Sequence, residues 1–332
     1  HCDPHERLLG LFVPAEEEPF LICPQMEVQR AKEAGWKGEI LGYGDAEDPW
    51  NQIREKLNRH HPNGFKSIAV EKEHLTCGRA ERLLALFPGA TLVSVEEKMY
   101  ELRAIKGEEE IRLLAEAARL ADYGVEVGIS ALREGCTEME IVAEIEYRLK
   151  RKGVQAMSFS TTVLFGEKTA LPHGTPGNRQ LTSGDLVLFD LGVIVDGYCS
   201  DITRTVAYRR IDDQGRQIYE TVLTAQRAAL NRCSPGTPIS EIDQTARKVI
   251  DAAGFGDRFP HRLGHGLGLE VHEYPSLSAA NRQSLREGMV FTVEPGIYIP
   301  GKGGVRIEDD VVVTADGCRI LTRFPKELMI IE

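Results

Sequence analysis

The sequence predicts an α/β N-terminal domain (residues 1–104) followed by an α+β C-terminal domain (105–332) built from two pseudo-symmetric halves. Three observations carry this expectation. The first hundred or so residues alternate short apolar runs with helix-period segments. Two helix-like segments lie 101 positions apart and share their punctuation. Two apolar runs, one in each half, end in a carboxylate.

In the first domain "RLLGLFV" and "PFLIC" read as strands, and Met26 to Trp36 reads as a helix. "DPWNQIREKLNRH" is a second helix, with Asp48 as N-cap and Pro49 in the first turn, where its missing N–H costs nothing. "SIAV", a helix around Ala80 to Leu86, and "TLVSV" complete the pattern, with mixed or parallel pairing. No catalytic cluster is visible there. His60 and His61 sit in a polar stretch that reads as a solvated helix end. A long helical pattern from Lys106 through Tyr123 to about Val127 opens the second domain, which places the boundary near Glu101 to Gly107.

The second domain repeats itself. "EGCTEMEIVAEIEYRLKRKG" (134–153) and "PGTPISEIDQTARKVIDAAG" (235–254) share Gly135/Gly236, Glu140/Glu241, Ile141/Ile242 and Gly153/Gly254. Each reads as a helix closed by a glycine. Thr137-x-x-Glu140 has the capping-box pattern, and Ser240 is expected to cap the second helix. The register continues with Gly184 six residues before Asp190 and Gly288 six before Glu294. Asp190-x-Gly192 then matches Glu294-x-Gly296. Two related halves follow, each a helix and then an acid-bearing β-hairpin.

The acids are the anomaly. "LVLFDLG" and "MVFTVEPG" are buried-strand patterns that end in Asp190 and Glu294. Aspartate is depleted in strands, and an unpaired buried carboxylate costs several kcal/mol. Each hairpin returns with a second acid. The first turns at Asp196-Gly197 and comes back as "YCSDITRTV" with Asp201. The second turns in "PGKGG" and comes back as "VRIEDDVVV" with Glu308. Alternation puts Asp201, Thr203 and Thr205 on one face, and Arg306, Glu308 and Asp310 on another. Four converging carboxylates need a counter-ion, and metal is the economical one. "PHRLGHGLGLEVHE" adds His261, His265 and His272, with glycines that argue for a loop rather than a helix. "ALPHG" adds His173. Carboxylates with at least one imidazole suit manganese, cobalt, iron or zinc pairs, not a thiolate zinc site. Two such ions ~3.5–4 Å apart activate water and polarise a carbonyl, so amide hydrolysis is the natural chemistry.

Bulk composition narrows the partners. A net charge of −11 argues against nucleic acid and against an anionic membrane surface. No apolar run approaches the ~20 residues of a membrane span. The seven cysteines are widely spaced, with no C-x-x-C pair, and read as free thiols of a reducing cytoplasm. The chain begins at His1 rather than Met, so the expectation is that its native N-terminus lies upstream.

These motifs resemble the pita-bread metallopeptidases: prolidase, Xaa-Pro aminopeptidase and methionine aminopeptidase. "DLG" with "SDITRT" eleven residues on, "GHGLGLEVHE", "VEPGIY" and "RIED" carry the resemblance over nearly the whole chain. It implies five metal ligands, Asp190, Asp201, His265, Glu294 and Glu308, and two divalent ions, with manganese expected and cobalt, zinc or iron as alternatives. It implies substrate and transition-state roles for His173, His261 and His272, and assigns Arg306 to the Pro-directed branch. "ELRAIKGEEEI" and the N-terminal domain, which is expected to lack the first strand, resemble the creatinase/prolidase type. The implied reaction is hydrolysis of the bond before proline, with Glu294 shuttling a proton. Xaa-Pro dipeptidase is expected, and Xaa-Pro aminopeptidase is the alternative. A non-catalytic relative and a metal-free creatinase-like hydrolase are remoter. The resemblance also implies a homodimer with the N-terminal domain near the partner's active site. Several prolidases carry an arginine four residues after the histidine matching His272, where a dipeptidase needs a cation for the proline carboxylate. Here that position is Ser276, and Arg306 or a protonated His261 is expected to replace it.

Overall fold

The computed structural model describes residues 5–332 and divides the chain into two compact units, 1–99 and 100–332. The first unit is an α/β arrangement in chain order: β1 (Gly10–Phe12), β2 (Phe20–Pro24), α1 (Val28–Glu33), β3 (Glu39–Tyr43), α2 (Pro49–His60), β4 (Ser67–Val70), α3 (Cys77–Leu86) and β5 (Thr91–Ser94). β1 and β2 are antiparallel, β2 and β3 parallel, and β4 and β5 form a separate parallel pair. The apolar faces of these elements close a core of Phe20, Ile22, Trp50, Ile53, Leu57, Leu83 and Phe87. The Asp48 carboxylate accepts from the Trp50 N–H at 3.0 Å, the cap that the sequence predicts. α1 is shorter than expected, because a 3-10 turn at Gln25–Glu27 precedes it.

α4 (Glu96–Ala104) leads from the first unit into the second. α5 (Glu108–Ala131) and α6 (Glu138–Arg151) come next, then β6 (Ala156–Met157), β7 (Thr162–Phe165), β8 (Leu186–Leu191), β9 (Val193–Val195), β10 (Tyr198–Cys199) and β11 (Ile202–Tyr208). The second half follows the same plan. It has α7 (Asp213–Leu230), α8 (Ile239–Ala252), β12 (Gly264–Gly266), β13 (Glu273–Leu277), β14 (Val290–Val293), β15 (Gly296–Ile299), β16 (Gly303–Arg306) and β17 (Asp309–Thr314), closed by β18 (Gly317–Ile320) and β19 (Ile330–Ile331). The two largest sheets order β19-β11-β8-β7, the first, and β13-β12-β14-β17-β18, the second, beside the smaller sheets β10-β9-β6 and β15-β16. α5 and α6 bury Ala121, Val125, Ile141, Ile145 and Leu149 with Val187, Phe189 and Leu191 of the first sheet. α7 and α8 bury Val222, Ala225, Ile242 and Ala246 with Phe291, Val293 and Val311 of the second.

The repeat read from the sequence is written in the backbone. Gly135 and Gly236, Gly153 and Gly254, and Gly184 and Gly288 all adopt positive φ, at 79° and 86°, 89° and 83°, and 98° and 83°. These are conformations that side chains resist, so the matched glycines mark matched turns. The capping box at α6 is present, with Glu140 N–H on Thr137 Oγ1 at 3.2 Å and Thr137 N–H on Glu140 Oε2 at 3.1 Å. The cap expected at Ser240 is not. α8 starts at Ile239, and Ser240 is a buried residue of its first turn. Its first N–H groups are taken by backbone carbonyls instead: Ile239 N donates to Gln283 O at 2.8 Å and Ser240 N to Asn281 O at 3.0 Å. Cys77, Cys136, Cys199, Cys233 and Cys318 are free thiols, and Cys2 lies outside the described residues. No helix among the described residues is long and apolar enough to cross a membrane.

Candidate metal centre

Each candidate acid sits where a strand begins or ends. Asp190 is the fifth residue of β8 and pairs in register with Thr203 of β11. Asp201 lies immediately before β11, Glu294 immediately after β14, and Glu308 immediately before β17. The return acids therefore precede their strands rather than lying within them. The Glu308 N–H donates to the Thr203 carbonyl at 3.1 Å, and both return acids are buried. The "GHG" segment, expected as a loop, is the short strand β12, and His265 is its central residue. β12 lies between β13 and β14. The flanking glycines are required by that close approach. A Cβ on Gly264 would stand 2.0 Å from Thr292 O, and one on Gly266 would stand 2.2 Å from Tyr274 O.

Asp201, His265 and Glu308 bring ligand atoms within 4.8 Å of one another, and all three are buried. His265 Nε2 stands 3.7 Å from Asp201 Oδ2 and 3.4 Å from Glu294 Oε1. Its other nitrogen faces the Gly266 carbonyl at 3.1 Å, so Nδ1 carries the proton and the Nε2 lone pair points at the acids. Burial holds the imidazole neutral, with its pKa lowered to about 3. Burial also raises the Asp201 and Glu308 carboxyls, and each is pushed further by the other acids. Glu294 is raised to about 7, chiefly by burial. Asp201 Oδ1 and Asp310 Oδ1 are buried with no hydrogen-bond partner. A neutral imidazole lone pair facing buried carboxyl oxygens, with the second oxygen of Asp201 left unsatisfied beside them, is a donor set that fits a divalent cation.

Asp190 is ion-paired with Arg306. Arg306 is buried and engages all three of its nitrogens. Nε donates to Thr203 Oγ1 at 3.0 Å, Nη1 to Tyr298 Oη at 3.1 Å and Nη2 to Asp190. Thr203 in turn donates to Glu308 Oε2 at 2.6 Å. His261 is committed as well, with Nε2 on Tyr298 Oη at 2.9 Å and Nδ1 on the Arg262 carbonyl at 2.8 Å. Burial lowers its pKa to about 4, so it is neutral near pH 7. His173 and His272 are exposed, and the His272 ring packs edge-on to His265 at 4.1 Å between centroids.

Sequence reasoning gave no site role to four residues that shape this centre. Asp310 accepts from the Asp201 N–H at 3.0 Å and so fixes that residue's backbone. Thr203 and Tyr298 join the acids to Arg306 and His261. The sharing of a face by Asp201 and Thr203 was the available signal for the threonine. Glu273, next to His272, is clasped by Arg103 and by Lys106, the latter at 3.1 Å, and this anchors the His272 loop. The charges of "ELRAIKGEEEI" mark the other half of the clasp.

A hard-donor cluster spread over two pseudo-symmetric half-domains defines a metal-dependent hydrolase of two-domain build. The chain belongs to metallopeptidase family M24: that family's model matches residues 112–315, and a creatinase/prolidase N-terminal domain matches residues 3–105. It is 58% identical over 331 residues to YkvY of Bacillus subtilis (strain 168), provisionally named a dipeptidase, covering 100% of this chain and 91% of that one. Among solved structures it is similar to the Xaa-Pro dipeptidase from Bacillus anthracis, with TM-score 0.91 and 35% identity over 98% of this chain and 90% of that one. It is also similar to the prolidase from Pyrococcus furiosus, with TM-score 0.85 and 37% identity over 92% and 88%.

Proposed function

We propose that this protein is an Xaa-Pro dipeptidase that hydrolyses the bond before proline in small peptides. The observation that carries the reading is the His265 Nε2 lone pair facing buried carboxylates, in a family M24 chain similar to enzymes named prolidase and Xaa-Pro dipeptidase. Residues 105–332 are the catalytic domain. Asp190, Asp201, His265, Glu294 and Glu308 would hold two divalent cations, with manganese the expected ion and cobalt, zinc or iron the alternatives. Such cations supply Lewis acidity and an activated water.

The chain's own residues divide the remaining work. Glu294 is held by Thr292 Oγ1 at 3.2 Å and accepts the proton of the attacking water, then returns it to the proline nitrogen, which has no hydrogen of its own. His272, exposed beside His265, donates to the oxyanion that forms on the scissile carbonyl. His173, on the exposed rim, orders the substrate. His261 and Arg306 act through their partners: Arg306 orients Asp190 and, through Thr203, Glu308, while His261 fixes Tyr298.

His272→Ala should keep bound metal and lower kcat about 10²–10³-fold, the usual cost of removing one oxyanion donor. Loss of both metal ions in elemental analysis of that variant would contradict this division of roles. Similarity to an X-Pro aminopeptidase from Thermotoga maritima keeps one rival open, cleavage of longer peptides. A panel of Xaa-Pro, Xaa-Pro-amide and Xaa-Pro-Yaa separates the two, and equal cleavage of all three would overturn the dipeptidase reading. The enzyme is further proposed to act in the cytoplasm as a homodimer. Light scattering at micromolar concentration should give twice the chain mass, and a monomer would refute the dimer.

A further inference from the structure

We propose that Arg262 is the specificity residue that binds the C-terminal carboxylate of the dipeptide. This deepens the dipeptidase reading and rests on it. An enzyme restricted to dipeptides must read the free carboxylate of proline, and a fixed guanidinium is the group best shaped for that. Ser276 is uncharged, and the two expected replacements are both occupied. Arg306 is buried, with all three nitrogens bonded, and His261 is neutral, with both ring nitrogens bonded.

Arg262 supplies the missing charge at the same place in space. It stands two residues ahead of β12, and its Nη1 donates to Ser276 Oγ at 3.2 Å. Ser276 is the register partner of His265 on β13. The guanidinium thus sits beside the strand that carries His265, with the exposed His272 ring packed on the His265 ring. Its charge is felt at His265, His272 and Glu294, so it borders the centre and not a remote surface. Arg262 is exposed, and among the described residues it forms no ion pair with a carboxylate. A cation held by one neutral hydroxyl, on the rim of a centre that hydrolyses peptides, is positioned to take a substrate anion. Ser276, from the neighbouring strand, is the support of this cation.

The test is kcat/KM for Xaa-Pro and for Xaa-Pro-amide in the metal-loaded wild type and in R262A, R262K and S276A, with melting temperature and metal content measured on each. The wild type should prefer the free carboxylate, and R262A should reduce that preference by at least about tenfold, mainly through KM for Xaa-Pro. R262K keeps a point charge without the fork and should fall between, and S276A should lose less than R262A. A wild type that cuts both substrates equally would overturn the dipeptidase reading itself. A wild type that discriminates, with R262A discriminating as strongly, would overturn the Arg262 assignment alone. An equal loss on both substrates in R262A would also overturn it, because that result describes a general structural role.

Discussion

Asp201→Asn is expected to give a folded protein that no longer retains divalent metal and whose kcat/KM for Xaa-Pro falls by at least ~10³-fold, several kcal/mol of transition-state stabilisation. The substitution keeps the shape and removes one charge. The Asp201 backbone stays anchored by Asp310. In the metal-free state the change should not weaken the fold, because the Asp201 carboxylate is buried among Glu308, Asp190, Asp310 and Glu294, and without a cation those charges repel. The metal-free variant should therefore melt no lower than the metal-free wild type, whereas added metal should raise the melting temperature of the wild type alone. Full activity in Asp201→Asn would falsify the assignment of this acid.

The second large effect is structural and lies one residue from Glu308. Asp309 is fully buried, and four donors converge on it. Arg204 Nη2 and Thr322 Oγ1 reach Oδ1 at 2.7 and 2.8 Å, while Gln226 Nε2 and Lys326 Nζ reach Oδ2 at 2.7 and 2.6 Å. Burial works against the carboxylate, but Arg204 and Lys326 outweigh it and hold its pKa below the usual range. Arg204 is almost fully buried and also donates to the Glu308 carbonyl. Asp309→Ala would leave Arg204 buried without its anion. Breaking such a pair from one side costs about 3–5 kcal/mol, or roughly 6–20 °C in melting temperature for a unit of this size. Calorimetry checks this. A shift below about 2 °C would mean that the network is not what joins α7, β11 and β17.

Much of the centre could be read from the chain because an internal repeat supplies its own control. Asp190 and Glu294 stood out as acids ending apolar strands, and their matching glycines adopt the same positive φ in both halves. Asp201 and Glu308 followed from strand return. What could not be read depends on pairings between distant segments. The Ser240 cap failed because Gln283 and Asn281 carbonyls satisfy the first turn of α8, and nothing local announces them. "GHG" formed a strand because β13 and β14 close on both sides of it. Arg262 and Ser276 are fourteen residues apart, and only the pairing of β12 with β13 makes them neighbours. Ordinary periodicity carries secondary structure, but it does not report which side chain fills a vacancy left on another strand.

The most direct measurement strips the protein with chelator, confirms by elemental analysis that no metal remains, and follows proline release from Xaa-Pro while manganese is titrated back. The expected result is no turnover in the stripped protein, recovery in proportion to bound metal, and saturation at about two ions per chain. Undiminished proline release from protein that holds no metal would contradict it.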